Sequence, residues 1–310
     1  MRGAVLCLVS AAAFATLGIF GKLASEAGAN VASTLLVRFS LAGAVFALIL
    51  IATGGWARLR RLSRRVVLTG LGLGAFGYSL QSGLYFVAIE RLDVSMVALL
   101  LYTYPAFVTL AAIALGRATT SPRTVAALVL ASCGLVLVLL AAGTGAFDVV
   151  GALLALGASV TYTTYIMVSD GVVGEIDPFE LPLLVLAGAT VSFAVGGLAT
   201  GSIDLSLPAD AWLWLVLIAL VSTVLAVSTF FAGLRRVGPS EAAILSTFEP
   251  PVTVLLAFFV LGERLTPAQL AGGALVLAAV VLLQLPRRQP LAARRAALSS
   301  RLTSPDPLSP

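Results

Sequence analysis

The sequence predicts an all-α integral membrane protein with ten transmembrane helices, arranged as two inverted repeats of five. Of its 310 residues, 60% are hydrophobic and only 11% are charged, and the mean hydropathy is +1.08. Apolar runs of roughly 20 residues, long enough to cross a hydrocarbon layer of about 30 Å, recur along the whole chain. Ten such runs lie near residues 3–24, 31–53, 66–89, 94–116, 122–141, 149–169, 180–200, 210–232, 239–261 and 266–285.

The first run predicts a transmembrane helix, although its start also has features of a secretory signal peptide. Arg2 would be the basic region of such a peptide, and Ala13, Phe14 and Ala15 would form its cleavage site. The apolar run continues through Phe20, however, and a later segment repeats its pattern. We therefore expect this segment to be the first membrane helix, with a cleaved signal peptide as the alternative.

The second, third and fourth runs each contain polar residues. Arg38 lies within the second run, Gln81 lies within the third, and Tyr102 and Tyr104 precede Pro105 within the fourth. Ionisable residues inside membrane helices usually face the interior of the bundle or a water-filled cavity. Proline removes a backbone hydrogen bond of a helix, so Pro105 predicts a break or hinge in the fourth helix. The fifth run is largely apolar.

The ninth run contains the most unusual feature of the second half. Before it, the sixth run has a polar stretch around Tyr162, and the seventh begins close to Pro182. The ninth run carries Glu249 near its middle, followed at once by Pro250 and Pro251. A carboxylate at mid-bilayer depth is costly, and a double proline breaks the hydrogen bonds of the helix. We therefore interpret Glu249 as a functional residue and the prolines as a second helix break.

An internal repeat relates the fourth and ninth runs. Residues 92–117 align with residues 237–264, and Pro105 then falls on Pro250. After a one-residue slip around the turns LGR and LGER, the following runs align at the same shift of 145 residues, with Pro122 on Pro267. Because each repeat would contain an odd number of helices, the second enters the membrane from the opposite side. Inverted repeats with interrupted helices are typical of secondary transporters, whose binding site lies near the membrane midplane.

These observations divide the chain into three parts. Residues 1–145 are the first five-helix repeat and residues 146–285 are the second, inverted one. Residues 286–310 are rich in Pro, Arg and Ser and poor in bulky apolar residues, so we expect a disordered basic cytoplasmic tail.

Three stretches of the sequence resemble an EamA-type transporter of the drug/metabolite transporter superfamily. They are VGPSEAAILSTFEPPVTVLLAFFVLGERLTPAQLAGGALVLAAVVLL, the fainter YFVAIERLDVSMVALLLYTYPAFVTLAAIALGR, and LVRFSLAGAVFALIL around Arg38. The resemblance covers roughly residues 3–285. It implies ten helices in two inverted bundles and the movement of small metabolites or amino acids, often outward. One departure is FATLG in the first helix, where the family often has a tryptophan before the glycine.

The distribution of Lys and Arg predicts that both termini are cytoplasmic. Cytoplasmic loops of membrane proteins carry the excess of these residues. With a cytoplasmic N-terminus, most of the 19 Lys and Arg residues fall on the inner side, and only Lys22, Arg91 and Arg264 fall on the outer side. We therefore expect a multi-pass protein of the plasma (inner) membrane. The net charge of +5 then reflects topology and does not predict binding to nucleic acid.

Arg38 and Glu249 are candidates for substrate binding or coupling. Arg38 could be the counter-ion of a substrate carboxylate or phosphate, or it could snorkel outward or form a structural pair. Glu249 could bind a proton or a cationic substrate, because burial disfavours the charged form of a carboxylate, or it could only bond the broken backbone. At a rise of about 1.5 Å per residue their depths differ by only about 5 Å, but the sequence does not show whether their helices are neighbours.

The expected function is secondary-active transport of small metabolites, amino-acid-like or other polar organic solutes, by alternating access. Export is the expected direction, and protons are a candidate coupling ion. Tyr102, Tyr104, Gln81 and Tyr162 suit the lining of a substrate cavity and equally suit hydrogen bonds between helices. The alternatives are a membrane channel and a membrane scaffold that transports nothing.

An enzyme is not expected, and neither is a cofactor or a metal. The chain lacks histidine, the commonest general base and metal ligand. Its two cysteines, Cys7 and Cys133, stand singly in apolar runs without disulfide or metal spacing. The expected partners are a small-molecule substrate and the lipid bilayer, and a homodimer stays open.

Overall fold

The computed structural model describes residues 2–140, 148–173, 176 and 179–285. Within these residues every regular element is a helix, ten helical segments match the ten predicted runs, and a short helix, Trp56–Leu59, lies between the second and the third. The segments of the first half are α1 (Arg2–Glu26), α2 (Val31–Ala52), α3 (residues 64–91), α4 (Val94–Ala114) and α5 (Pro122–Leu140). The segments of the second half are α6 (Val149–Val173), α7 (Glu180–Thr200), α8 (Ala209–Val237), α9 (residues 239–261) and α10 (Pro267–Gln284). The predicted basic tail, 286–310, lies outside the described residues.

Nine of the described helices are long and apolar enough to span a membrane, and α3 is the predicted span that is not among them. Its sequence, GLGLGAFGYSLQSGLYF, is rich in glycine, serine and tyrosine and contains Gln81, which lowers its mean hydropathy. The polar side chains of this stretch lie between helices and not against lipid. Helix α3 packs against α6 and α7, and both Gln81 and Ser82 are buried. The protein is thus an all-α membrane protein, with ten membrane helices among the residues that the structure describes.

The start of α7 explains why proline is tolerated in the seventh span. Pro182 lies in the first turn of the helix that begins at Glu180. The first N–H groups of a helix have no intrahelical acceptor, so a missing N–H costs little at this position. The span therefore runs from Glu180 to Thr200, as predicted.

Helices α4 and α9 are interrupted at corresponding positions. In α4, the piece Val94–Leu101 is followed by Tyr104–Ala114, with Pro105 in the first turn of the second piece. In α9, the piece Pro239–Ser246 is followed by Glu249–Leu256, with the two prolines in its first turn. Each proline therefore stands in the first turn of a new helical piece, where its missing N–H is tolerated, and does not kink a continuous helix.

Three π-helical stretches widen the helices locally. They are Leu73–Tyr78 in α3, Leu220–Leu225 in α8 and Ala257–Leu261 in α9. In α3 and α8 a hydroxyl group bonds a carbonyl five residues earlier: Ser79 donates to Gly74 at 2.9 Å, and Thr223 donates to Ile218 at 3.0 Å. Single π turns inside α-helices are often found at functional sites.

Helix pairing links the two halves of the chain throughout. Helix α1 packs against α8, α3 against α6, α2 against α7, and α5 against α10. Glycine permits the closest approaches. A Cβ atom on Gly74 would lie 2.0 Å from the carbonyl oxygen of Val185, and one on Gly188 would lie 2.1 Å from that of Leu71. The backbones of α3 and α7 are therefore in direct contact.

The turn between α9 and α10 caps the start of α4. The carboxylate of Glu263 accepts hydrogen bonds from the Val94 N–H at 2.7 Å, the Ser95 N–H at 2.9 Å and the Ser95 hydroxyl at 2.6 Å. A carboxylate is well placed there, because the first N–H groups of a helix lack partners and carry partial positive charge. The corresponding turn of the first half, residues 115–121, contains no acidic residue.

Candidate functional site

A cavity of about 120 Å³ lies inside the bundle. Six of its lining residues are the predicted binding residues Arg38, Gln81, Tyr102, Tyr104, Tyr162 and Glu249. The other six are Phe14, Leu17, Tyr78, Ser82, Tyr85 and Leu101. The lining therefore combines residues of α1, α2, α3 and α4 with residues of α6 and α9, so both halves of the chain contribute to it.

The interruptions of α4 and α9 place side chains in this cavity. Tyr104 and Glu249 are the first residues of the second helical pieces, and the prolines that follow them stand in the first turns. The prolines Pro105, Pro250 and Pro251 do not themselves line the cavity. The breaks thus bring two aligned positions of the repeat, one tyrosine and one glutamate, to the same space.

Glu249 is half-buried and is held by a tyrosine. The Tyr102 hydroxyl lies 2.8 Å from Oε2 of Glu249 and 3.0 Å from the carbonyl oxygen of Ser246. The carboxylate also stands at the start of a helical piece, where free N–H groups favour negative charge. In the part of the chain that the structure describes, no Lys or Arg forms an ion pair with Glu249.

Arg38 is buried inside the bundle, with only 2% of its surface exposed. Its Nε donates to the Thr223 hydroxyl oxygen at 3.1 Å, and its Nη2 donates to the Tyr78 hydroxyl oxygen at 2.9 Å. The guanidinium carbon lies 5.1 Å, 5.7 Å and 5.8 Å from the ring centres of Phe39, Tyr78 and Phe86, which is within the range of cation–π attraction. The side chain therefore does not snorkel to the membrane surface.

Arg38 and Glu249 lie on helices from different halves of the chain and line the same cavity. Among the described residues they do not form an ion pair with each other or with any other side chain. Each charge is solvated by hydroxyl groups and aromatic rings instead. A charge inside a protein is costly unless it is paired, and a solute with the opposite charge would reduce that cost at either residue.

The six tyrosines of the chain all lie at or beside this cavity. Neighbouring rings form a continuous chain with centre-to-centre distances of 5.8, 4.8, 5.9 and 5.8 Å, running through Tyr102, Tyr104, Tyr162, Tyr165 and Tyr78. The chain starts at the tyrosine that bonds Glu249 and ends at the tyrosine that bonds Arg38. These rings give the cavity an apolar wall with hydroxyl groups along it.

Sequence interpretation missed Tyr78 and Tyr85, although a signal for both was present. Tyr78, Gln81, Ser82 and Tyr85 are spaced i, i+3, i+4 and i+7, the spacing that puts side chains on one face of a helix. All four line the cavity. The polar stripe of α3 therefore identifies the face that turns toward the site.

The site offers charges and hydroxyl groups for binding a small polar solute. Within the described ranges, no group of three or more His, Cys, Asp or Glu side chains could hold a metal ion. A solute with one anionic and one cationic end would find a guanidinium, a carboxylate and π faces around it.

Comparison with known proteins identifies relatives of this chain. The model of the EamA-like transporter family matches residues 1–140 and 149–285. An uncharacterized transporter of Archaeoglobus fulgidus is 28% identical over 69% of this chain and 75% of its own length. The threonine/homoserine exporter RhtA of Escherichia coli K12 is 28% identical over 68% of each chain. A solved crystal structure, 20% identical, covers 93% of this chain and 99% of its own with a TM-score of 0.65, which shows a shared fold alone.

Proposed function

The chain belongs to the EamA-like transporter family, and on that premise we propose that it exports small amino-acid-like metabolites as a secondary carrier. Membership makes it a membrane transporter of the drug/metabolite transporter superfamily, in contact with lipid and with a small-molecule substrate. Export is the proposed direction of transport, because threonine/homoserine exporters of Escherichia coli and Salmonella typhimurium are similar to this chain.

One observation carries the substrate class: Arg38 and Glu249 line a single cavity without pairing with each other. In the proposed complex the carboxylate of an amino acid bonds Arg38, because guanidinium offers two parallel donors. Its ammonium group faces Glu249 and the tyrosine rings, which attract a cation electrostatically. A zwitterion would thus supply both missing counter-charges.

The size of the cavity favours small solutes. Its volume is about 120 Å³, whereas pockets for drug-sized ligands occupy roughly 300–1,000 Å³. A smaller adjoining space of about 40 Å³ shares Glu249 and Tyr102 with it. The cavity is therefore closer in size to an amino acid than to a drug-sized molecule.

Alternating access is the proposed mechanism, with residues 1–145 and 146–285 as the two moving repeats. The helix pairings support this mechanism, because they follow the symmetry of two repeats in which α1 corresponds to α6, α2 to α7 and so on. Under that correspondence the pair α1–α8 becomes α6–α3, which is also observed, and the pairs α2–α7 and α5–α10 each become themselves. The interruptions at Pro105, Pro250 and Pro251 would provide hinges, because helix breaks absorb backbone rotation. We place the protein in the plasma membrane with both termini cytoplasmic, on the basis of its Lys and Arg distribution.

The test is transport by purified protein in liposomes. Preloaded liposomes are expected to take up radiolabelled L-threonine or L-homoserine in a saturable way and to exchange it for unlabelled amino acid. Arg38→Ala should abolish saturable exchange, and Arg65→Ala, at an exposed position, should leave it intact. Steady ion current without saturation would instead identify a channel. Neither current nor exchange with any labelled metabolite would identify a scaffold.

A further inference from the structure

We infer that Thr223 and Tyr78 are positioning residues that aim Arg38 at the carboxylate of the transported solute. The inference rests on the proposed function, from which it takes the substrate class, and adds the residues that determine specificity for a carboxylate. Thr223 and Tyr78 both lie in π-helical stretches, one in α8 and one in α3. Arg38, on α2, therefore connects the two widened helices.

The geometry at Thr223 fixes which of its atoms faces the arginine. The hydroxyl is buried and has one proton, which it donates to the carbonyl oxygen of Ile218, 3.0 Å away. That carbonyl lies five residues earlier in the widened turn, within reach of the hydroxyl. Because the proton is engaged there, the oxygen can only accept, and it accepts from Nε of Arg38 at 3.1 Å. The π turn thus orients a hydrogen-bond acceptor toward a cation.

The geometry at Tyr78 complements that arrangement from the other side of the arginine. Tyr78 is the last residue of the π-helical stretch Leu73–Tyr78. A π turn holds more residues than an α turn, so it changes the face on which the following side chains emerge. The ring packs against Phe39 and Tyr165, at 5.4 Å and 5.8 Å between centres, and its hydroxyl accepts from Nη2. Packing and hydrogen bonding together restrict the guanidinium plane.

These two contacts leave one edge of the guanidinium unused. Arg38 has five N–H groups, and Nε and Nη2 each use one on a hydroxyl oxygen. Both N–H groups of Nη1 and the second of Nη2 have no acceptor among the described residues, and Arg38 lines the cavity. Paired donors of this kind match a carboxylate in bidentate geometry. The solute carboxylate is therefore the missing acceptor, and the hydroxyl groups of Thr223 and Tyr78 hold the donors in place.

The experiment removes each hydroxyl separately and compares two solutes that differ at the carboxylate. Thr223→Val and Tyr78→Phe keep the size of each side chain, and uptake of labelled L-threonine is measured in liposomes with L-threoninamide as competitor. Each variant is expected to raise the KM for L-threonine about tenfold, as loss of a hydrogen bond to a charged group predicts. The inhibition constant of L-threoninamide, which lacks the carboxylate, should change much less. The ratio of the two constants is the diagnostic value.

Two controls separate positioning from stability. Thr223→Ser keeps the hydroxyl and should restore the wild-type ratio. Thr229→Val removes a hydroxyl from the same helix that bonds only carbonyls of its own turn, those of Leu225 and Ala226, and should leave the ratio unchanged. Thermal unfolding of every variant is followed in parallel, and Tyr78→Phe provides an independent answer if Thr223→Val does not fold.

The outcomes distinguish this inference from the function on which it rests. A lowered selectivity for L-threonine over its amide in both variants supports the inference. Saturable uptake by the wild type with an unchanged ratio in both variants overturns the inference and leaves the proposed function standing. An equal loss of affinity for both solutes also overturns it, because that result assigns the hydroxyl groups to general packing. A wild type that transports no amino acid contradicts both.

Discussion

At the scale of single residues, Glu249 and Arg38 are each held by hydroxyl groups, and no opposite charge in the described part of the chain pairs with either. Tyr102 bonds the carboxylate, and Thr223 and Tyr78 bond the guanidinium. Hydroxyl groups form some of the hydrogen bonds of each charged group without neutralising its charge. Both charges therefore remain available to pair with a solute, which is what the proposed function requires of them.

Glu249→Gln tests whether this carboxylate couples transport to protons. Uptake driven by a pH gradient is expected to be lost, while exchange of labelled for unlabelled solute persists at a higher KM, because exchange needs no net movement of protons. Both activities are measured in the same liposomes. Glu26→Gln, an exposed position at the end of α1, is the matched control. Unchanged pH-driven uptake in Glu249→Gln would assign coupling to another group.

Asp148 predicts how stability depends on pH at one end of the bundle. The N–H of Gly151 at 3.0 Å and, next in importance, Arg91 at 3.0 Å hold the pKa of Asp148 below its ordinary value. A lowered pKa means that the ionised form stabilises the folded state above that ordinary value, and that this contribution is lost as pH falls through the folded pKa. The unfolding temperature of the wild type should therefore drop below about pH 4.

Asp148→Asn is the matching variant, because it keeps a side-chain acceptor and removes the titration. Its unfolding temperature is expected to be lower than that of the wild type at neutral pH and to change less between pH 6 and pH 3, an interval of about 3 units that spans the ordinary aspartate pKa. Parallel pH curves for the two proteins would show that Asp148 does not contribute.

At the scale of elements, α4 and α9 share an interruption but differ at their connecting turns. The turn after α9 contains Glu263, which caps the start of α4 in the opposite half of the chain. The turn after α4 has no acidic residue. The glutamate in one repeat thus adds a contact between repeats that sequence symmetry does not predict.

Glu263→Gln is expected to destabilise the protein by about 1–3 kcal/mol, because an amide replaces a charged acceptor of three hydrogen bonds at a helix start. Thermal unfolding in detergent measures the effect. Glu90→Gln is the control, since its contact with Ser25 is long, 3.4 Å, and exposed. Equal unfolding temperatures for Glu263→Gln and the wild type would show that solvent replaces the cap.

The contact between α3 and α7 requires glycine at position 74 but not at position 72. In Gly74→Ala the new Cβ would lie 2.0 Å from a backbone oxygen of α7, and backbone cannot yield as a flexible side chain can. We expect a loss of about 3 kcal/mol or more, at the upper end for overpacking, and a low yield of folded protein. Gly72→Ala meets no atom within 4 Å and should stabilise the helix by up to about 1 kcal/mol. Equal yields and unfolding temperatures would disprove the close contact.

At the scale of the whole molecule, large apolar side chains cover much of the outer surface. Phe76, Leu140, Leu198 and Phe259 are each more than 70% exposed. In a membrane protein such residues face lipid, and polar residues gather inside around the cavity. The arrangement accounts for a bundle that is polar at its centre and apolar at its periphery.

Cysteine labelling tests the proposed orientation of the whole chain. In a variant with Cys7→Ala and Cys133→Ala, single cysteines replace Arg65, Arg235 and Glu90. The cysteines at positions 65 and 235 are expected to react with a membrane-impermeant reagent only from the cytoplasmic side, because these positions lie at the proposed cytoplasmic ends of α3 and α8. The cysteine at position 90 is expected to react only from outside, because it lies at the opposite end of α3. Reaction of positions 65 and 235 from opposite sides would contradict the two-repeat arrangement.

The sequence by itself determined the number of spans, the broken helices and the candidate charges. This was possible because lipid offers no hydrogen bonds, so each span must be a helix of sufficient apolar length, and each polar exception stands out along the chain. Glu249, Arg38 and Pro105 are such exceptions. The prediction of the seventh span, which contains Pro182, is also confirmed, because the first turn of a helix accepts proline.

Only the tertiary structure decided which of these residues meet. Arg38 bonds Thr223, 185 residues away, and Glu263 bonds Val94, 169 residues away. Hydropathy gives the depth of a residue but not its lateral neighbours, which depend on how helix surfaces pack. The rotation of a side chain about its helix axis also depends on π turns, which leave no periodic signal in sequence. The sequence could therefore predict the lining residues one by one, and packing alone placed them around one cavity.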